Sequence, residues 1–182
     1  MNGAANPWRN RLIGLLIAAA VFVVDQAVKL WMVANLKTIP AAERVIEILP
    51  VFNFRWTENY GVSLGLFTAG SPEGRWALVA MTGAIAVFVL VWLLRERKMP
   101  EIAALSLVLG GAIGNIRDRA GNGYVIDYAD LHFGEFRPFL VFNIADAAIT
   151  IGVLIILARS LLSRDKPDTN GGHDTADAAP EI

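Results

Sequence analysis

Residues 110–146 read GGAIGNIRDRAGNGYVIDYADLHFGEFRPFLVFNIAD and carry the densest group of ionisable side chains in a chain otherwise made of long apolar runs. Two carboxylates stand apart: Asp127 in YVIDY and Asp146 in FNIAD, each set among apolar and amide-bearing neighbours rather than in a solvated charge run. They lie 19 positions apart with Pro138 between them. Proline interrupts a helix, and partners on one helix face are three or four residues apart, so only the fold can bring these two acids together.

The surrounding composition says what kind of fold that is. The 182 residues are 55% hydrophobic and 18% charged, with a mean hydropathy of +0.48, which is far from a soluble composition and points to a membrane protein of one domain. A net charge of -1 leaves no basic stripe for a phosphate backbone, so nucleic acid is not an expected partner. The absence of cysteine excludes disulfides, thiolate nucleophiles and Cys-ligated metals. With only His132 and His173 available, no metal site and no cofactor are expected.

Four hydrophobic segments are long enough to span a bilayer. Arg9 and Arg11 precede an uncharged run from Leu12 to Val24 that continues around Asp25 and Lys29 to Leu36. As one helix this is about 37 Å at ~1.5 Å per residue, enough to cross with tilt. No small-x-small cleavage site follows promptly, which favours a retained span over a cleaved leader. Residues 76–94 form an uncharged second span ending in RERK at 95–98, and 102–118 a third, in which Gly110, Gly111 and Gly114 permit close helix approach. The fourth covers about 142–162. A single membrane domain over 1–163 is therefore expected, with 164–182 as a disordered cytoplasmic tail. Residues 37–75 and 119–141 connect the spans. Within the first connection VIEILPVFNFRWT has strand composition, with Phe52, Phe54 and Trp56 on one face, and predicts a small surface sheet with its aromatic face toward lipid. Gly61, Gly65, Gly70 and Gly74 then mark a loop.

Basic residues at 9, 11, 95, 97, 98, 159, 164 and 166 all fall on one side of such a bundle, and the positive-inside rule makes that side cytoplasmic. Counted from those anchors, Asp25 and Asp146 share a depth of about 20 Å at ~1.5 Å per residue, and Asp118 comes out slightly beyond. Acids at that depth cost roughly 2.5 to 3.5 kcal/mol each and must face a partner or a wet cavity. Asp25 and Lys29 are spaced i, i+4 for an ion pair, as Asn115 and Arg119 are for a shared polar face. Asn143, Asp146 and Thr150 line one stripe of the last span. Two carboxyls in a low-dielectric pocket cannot both ionise, so a pair sharing one proton is suited to activate water and protonate a leaving amine. Residue types alone leave ion pairing or a proton relay open beside that dyad.

In order along the chain, DQAVK at 25–29, NYG at 59–61, GGAIGNIRDR at 110–119, GYVIDY at 123–128 and FNIAD at 142–146 resemble the sequence blocks of lipoprotein signal peptidase (signal peptidase II), a bacterial aspartic peptidase family. After NYG, Val62, Ser63 and Leu64 stand where members more often carry an Ala-Phe pair. The resemblance implies a mainly α, polytopic membrane protein with four transmembrane helices, a small periplasmic β-sheet cradle and a periplasmic loop or helix. It implies catalytic Asp127 and Asp146, with Asn115, Arg119 and Asn143 holding the dyad and the substrate. Asn59 and Gly61 would belong to the loop closing over the site, with Asp25, Lys29 and Asp118 in support. The implied substrates are prolipoproteins, cut before a diacylglyceryl-modified cysteine; further implied partners are membrane lipid and globomycin-type inhibitors. A monomer in the bacterial inner membrane is expected, its termini cytoplasmic and its site toward the periplasm. A small proton-coupled transporter using buried acids as a relay is the alternative.

Overall fold

The computed structural model describes residues 7–40, 44–61 and 71–163. The loop over 62–70, with its Val62-Ser63-Leu64 departure, and the tail over 164–182 lie outside the described residues. The described elements run in the order α1 (Pro7–Met32, continuing as a wider π-helical end, Val33–Lys37), β1 (Val45–Leu49), β2 (Phe52–Asn59), α2 (Pro72–Arg95), α3 (Met99–Asn122), β3 (Val125–Leu131) and α4 (Ile144–Ser163). All four helices are long and apolar enough to cross a membrane.

The helices begin and end where their terminal chemistry dictates. Ser71 accepts a hydrogen bond from the Gly74 amide at 3.1 Å, and Pro72 follows at the first helical position, so α2 starts a turn before residue 76, where the uncharged run begins. Gly123, with φ +89°, closes α3 and returns its N–H to the Arg119 carbonyl; the helix thus extends past residue 118. The Arg75 guanidinium reaches across from α2 to the Ala120 carbonyl, covering an acceptor that the end of α3 leaves open.

Helix α3 is the centre of the bundle, since half of its apolar window is buried against 17% for α2 and α4. Its glycines explain why. A Cβ at Gly110 would come within 2.5 Å of the Ala18 carbonyl of α1, and one at Gly111 would collide with the Ala145 carbonyl of α4. Small residues thus let α3 approach a neighbour on each side. Gly152 of α4 answers from the opposite helix, where a Cβ would sit 2.6 Å from the Ala104 carbonyl.

The strands form one antiparallel sheet in the order β1-β2-β3. β1 falls within the stretch predicted as a sheet and β2 runs two residues past it to Asn59, but β3 is an addition: VIDYADL is buried on both faces over its first six residues, so it lacks the polar-apolar alternation that marks a half-exposed strand. The aromatic face also needs correction. Phe54 packs edge-on against Trp31 of α1 and Tyr128 of β3, and Trp56 is buried in a cluster with Met32, Leu36 and Ile126. Those rings therefore anchor the sheet to the end of α1 instead of facing lipid.

Candidate active site

Asp127 reaches the bundle because β3 is tied at both ends. At its start it follows the Gly123 turn out of α3. At its other end Ala129 and Phe142 exchange backbone hydrogen bonds of 2.8 and 3.1 Å, closing the loop that contains Pro138. This bridge lays the entrance of α4 beside β3 and brings together acids 19 positions apart in sequence.

Asn143 joins the two. It does not belong to the α4 stripe, as its spacing suggests, but caps the helix. Its Oδ1 accepts from the Asp146 N–H at 2.9 Å, and Asp146 Oδ2 accepts from the Asn143 N–H at 3.3 Å. This reciprocal pair is a capping box with Asp in the third helical position. The Asn143 Nδ2 remains free to donate elsewhere and does so to Asp127 Oδ1 at 2.6 Å. One residue therefore grips one carboxylate through its backbone and the other through its side chain.

Two further amides complete the grip. Asn115 Nδ2 donates to Asp146 Oδ1 at 2.8 Å, and Asn59 Nδ2 donates to Asp127 Oδ2 at 3.0 Å. Asn59 is oriented in turn by the Gly61 N–H, which donates to its Oδ1 at 2.9 Å. That short turn requires the φ of +97° that Gly61 adopts, and a Cβ there would also strike Leu78.

Asp25 and Asp118 belong to a separate, adjoining cluster. Lys29 Nζ lies 2.9 Å from Asp25 Oδ2 and 2.8 Å from Asp118 Oδ2, so the i, i+4 pair exists but is shared with a second acid. Lys29 also donates to Asn115 Oδ1 at 3.2 Å, which leaves the Asn115 amide nitrogen turned toward Asp146. Asp25 Oδ1 accepts from the Ala145 N–H at 3.0 Å, placing Asp25 level with the start of α4 as the depth count predicts. Gln26, unremarked in the sequence reading, joins Asp25 and Asp118 through Nε2; its position inside DQAVK was the available signal.

The contrast between the two pairs is electrostatic. Asp25 and Asp118 share a buried ammonium, and Asp130 is held by Arg55 and Arg137. Asp127 and Asp146 take their hydrogen bonds from amides, with no ion pair to either among the described residues. Burial and the nearby charge of Asp146 push Asp127 up to about 6, against the opposing pull of the Asn59 and Asn143 hydrogen bonds. Arg119 is drawn electrostatically to Asp146, Asp127 and Asp118, while its buried Nε has no hydrogen-bond partner among the described residues. Asp146 is less buried than Asp127 and opens with Thr150 onto a crevice of about 340 Å³ walled by Leu131, Phe139, Leu140 and Phe142. An apolar chain has access to Asp146 from this side.

Four apolar helices, a small sheet at one end and two amide-held acids beneath it define a multi-pass membrane protein with a polar site near one face of the bilayer. The family model described as Signal peptidase (SPase) II matches residues 17–162, and the chain belongs to that family. It is 44% identical to the lipoprotein signal peptidase of Sphingopyxis alaskensis over 182 residues, covering 100% of this chain and 99% of that one. To the lipoprotein signal peptidase of Rhizorhabdus wittichii it is 52% identical over 157 residues, 86% of this chain and 90% of the relative. A solved structure described as a bacterial membrane enzyme, obtained by the in meso method at 2.3 Å, superposes with a TM-score of 0.72 at 27% identity, covering 88% of this chain and 94% of that chain.

Proposed function

We propose that this peptidase removes signal peptides from prolipoproteins by an aspartic mechanism, with Asp127 and Asp146 as the catalytic pair. The observation that carries the reading is the partner set: these two acids face one another's charge and are held by neutral amides, whereas Asp25 and Asp118 are both ion-paired to Lys29. A buried carboxylate pair held by amides, with no direct ion pair to either member among the described residues, is suited to retain a proton, and that proton is what amide hydrolysis needs.

Asp127, the more buried acid, holds the proton and donates it to the carbonyl oxygen of the scissile amide. Asp146, open to the crevice, takes a proton from water as the water oxygen bonds to the carbonyl carbon. The tetrahedral intermediate then collapses: the C–N bond breaks, the amine leaves with the proton that Asp146 had gained, and the new carboxyl group returns the other to Asp127. Arg119 stands ready to hold the substrate, while Asn115, Asn143 and Asn59 keep the acids in register. Asn59, oriented by Gly61, holds Asp127, and Asp25, Lys29 and Asp118 keep Asn115 oriented.

The substrate is cut before a diacylglyceryl-modified cysteine, its acyl chains in the bilayer and its signal helix entering sideways. Globomycin-type cyclic peptides occupy the same site. The protein works as a monomer, one peptidase domain over 1–163, in a bacterial inner membrane with both termini cytoplasmic and the sheet on the periplasmic side. The transporter alternative is disfavoured by the family and by acids placed at one end of the bundle.

Asp127→Asn and Asp146→Asn each remove one member of the proton cycle while keeping the side chain's shape. Each is expected to give an inserted protein of near-parental thermal stability that leaves a diacylglyceryl-cysteine precursor uncut. Cleavage within a few-fold of the parent by either variant would overturn the mechanism.

A further inference from the structure

On the flank of the bundle formed by α1 and α3 lies a second cavity, of about 170 Å³, whose lining includes Lys37, Arg117, Asn122 and Tyr124 around a floor of Gln26 and Lys29. We propose that it binds the headgroup of an anionic phospholipid, with the acyl chains descending along α1 and α3.

Three observations converge on that occupant. The first is depth. Lys37 ends the α1 span and Arg117 is in the last two turns of α3, so both basic side chains reach the polar boundary at the sheet end of the bundle. Aromatic rings collect there as they do at bilayer interfaces: Lys37 Nζ lies 5.8 Å from the ring centres of Trp56 and Tyr124, and Tyr60 packs at a tilt against Tyr124. The second is donor capacity. Lys37 Nζ donates to the Tyr124 hydroxyl at 3.1 Å. The Arg117 side chain is 51% exposed and stands 3.7 Å from Asp118, too far for a hydrogen bond. The local acids are otherwise engaged, Asp118 by Lys29 and Gln26 and Glu58 by Tyr60 and Trp56. Both cations therefore have donors to spare for phosphate oxygens.

The third observation selects a lipid over a free anion. Leu30, Val33 and Lys37 follow one another at spacings of three and four on α1, and Ile113 and Arg117 at four on α3. Below Lys37 stand Val33 and Leu30, the latter 62% exposed, and one turn below Arg117 stands Ile113, 40% exposed. Cations above and exposed hydrocarbon below match a phosphodiester with acyl chains and give a soluble phosphate no use for the lower half.

The proposal is independent of the peptidase reading and is tested by binding. Full-length protein in neutral detergent is titrated with phosphatidylglycerol or phosphatidylcholine and examined by native mass spectrometry. Retention of one phosphatidylglycerol in preference to phosphatidylcholine is expected, weakened about tenfold or more in Lys37→Gln/Arg117→Gln. Arg95→Gln/Arg97→Gln, at the opposite end, is expected to bind as the parent does. If the double variant at the cavity melts early, Arg117→Gln alone carries the test, since its side chain is half exposed. Equal retention of the two lipids, parental binding by the cavity variants, or equal weakening by the Arg95/Arg97 pair would overturn the assignment. Displacement of the lipid by inorganic phosphate at comparable concentration would overturn the choice of a lipid. Asp146→Asn, inactive on the proposed mechanism, is expected to bind lipid normally, which separates the two readings.

Discussion

Asn143 touches both acids through different atoms, and the consequence is a pair whose geometry is set by the cap of a helix. FNIAD contains the Asn-x-x-Asp spacing of a capping box, a signal that reading Asn143 and Asp146 as one helix stripe passes over. The Asn143–Asp127 contact has no such signal, because it crosses from a helix cap to a strand. The raised Asp127 carboxyl has a signed consequence. Its folded value of about 6 exceeds the ordinary 3.8, so the folded state binds the proton more tightly than the unfolded chain. The stability this group contributes is full below about 4 and is lost as pH rises through about 6. Melting temperature in detergent is expected to fall over that window in the parent and to flatten in Asp127→Asn. On the proposed mechanism the same deprotonation removes the proton that Asp127 lends to the scissile carbonyl, so kcat/KM is expected to decline as pH rises through about 6. A profile flat from pH 5 to 8 would contradict the shared-proton assignment.

At the scale of elements, the glycines of α3 determine how near the acids' supports can come. A Cβ at Gly114 would lie 2.6 Å from Asp25 Oδ2, so Gly114→Val displaces Asp25 from Lys29 and leaves a buried charge short of its partner. Breaking such a pair typically costs about 3 to 5 kcal/mol. Gly121 is a control on the same helix with open space at its Cβ position, where Gly→Ala is expected to be neutral or to stabilise by up to about 1 kcal/mol. Thermal melts of the two variants give the comparison, and equal melting points would show that close packing at Gly114 is dispensable. The small residues of GGAIG were readable as a contact surface. Which neighbour each glycine meets was not, since the assignment depends on the rotation of α3 between α1 and α4. Strand β3 escaped notice for a related reason: buried on both faces and carrying two acids, VIDYADL has neither the alternation of a surface strand nor the uniform apolarity of a core one.

For the molecule as a whole, the basic residues at the helix ends opposite the sheet predict which side meets the cytoplasm. Absence of native cysteine makes this easy to measure. Single cysteines at Arg97 and Glu135 are expected to react with a membrane-impermeant maleimide in opposite compartments, Glu135 from outside the cell; the reverse pattern would invert the topology. The apolar crevice beside Asp146 carries a second expectation, that an unlipidated precursor is cleaved at least about tenfold more slowly than the lipidated one. Anchored acyl chains raise the local concentration of the scissile bond at the site. Equal turnover of both forms would exclude lateral presentation from the bilayer.

Hydropathy and glycine spacing reveal the four spans in the sequence itself, because those properties act through local solvation and need no distant partner. The blocks around Asp25, Asn59, Asn115, Asp127 and Asn143 likewise mark the candidate site residues before any fold is known. Tertiary structure decided their pairing. Lys29 closes on Asp25 and Asp118, and the Ala129–Phe142 bridge delivers Asp127 to Asn143. Ion-paired acids and amide-held acids look alike along a chain, and they differ only once the fold has chosen which of them the buried cation can reach.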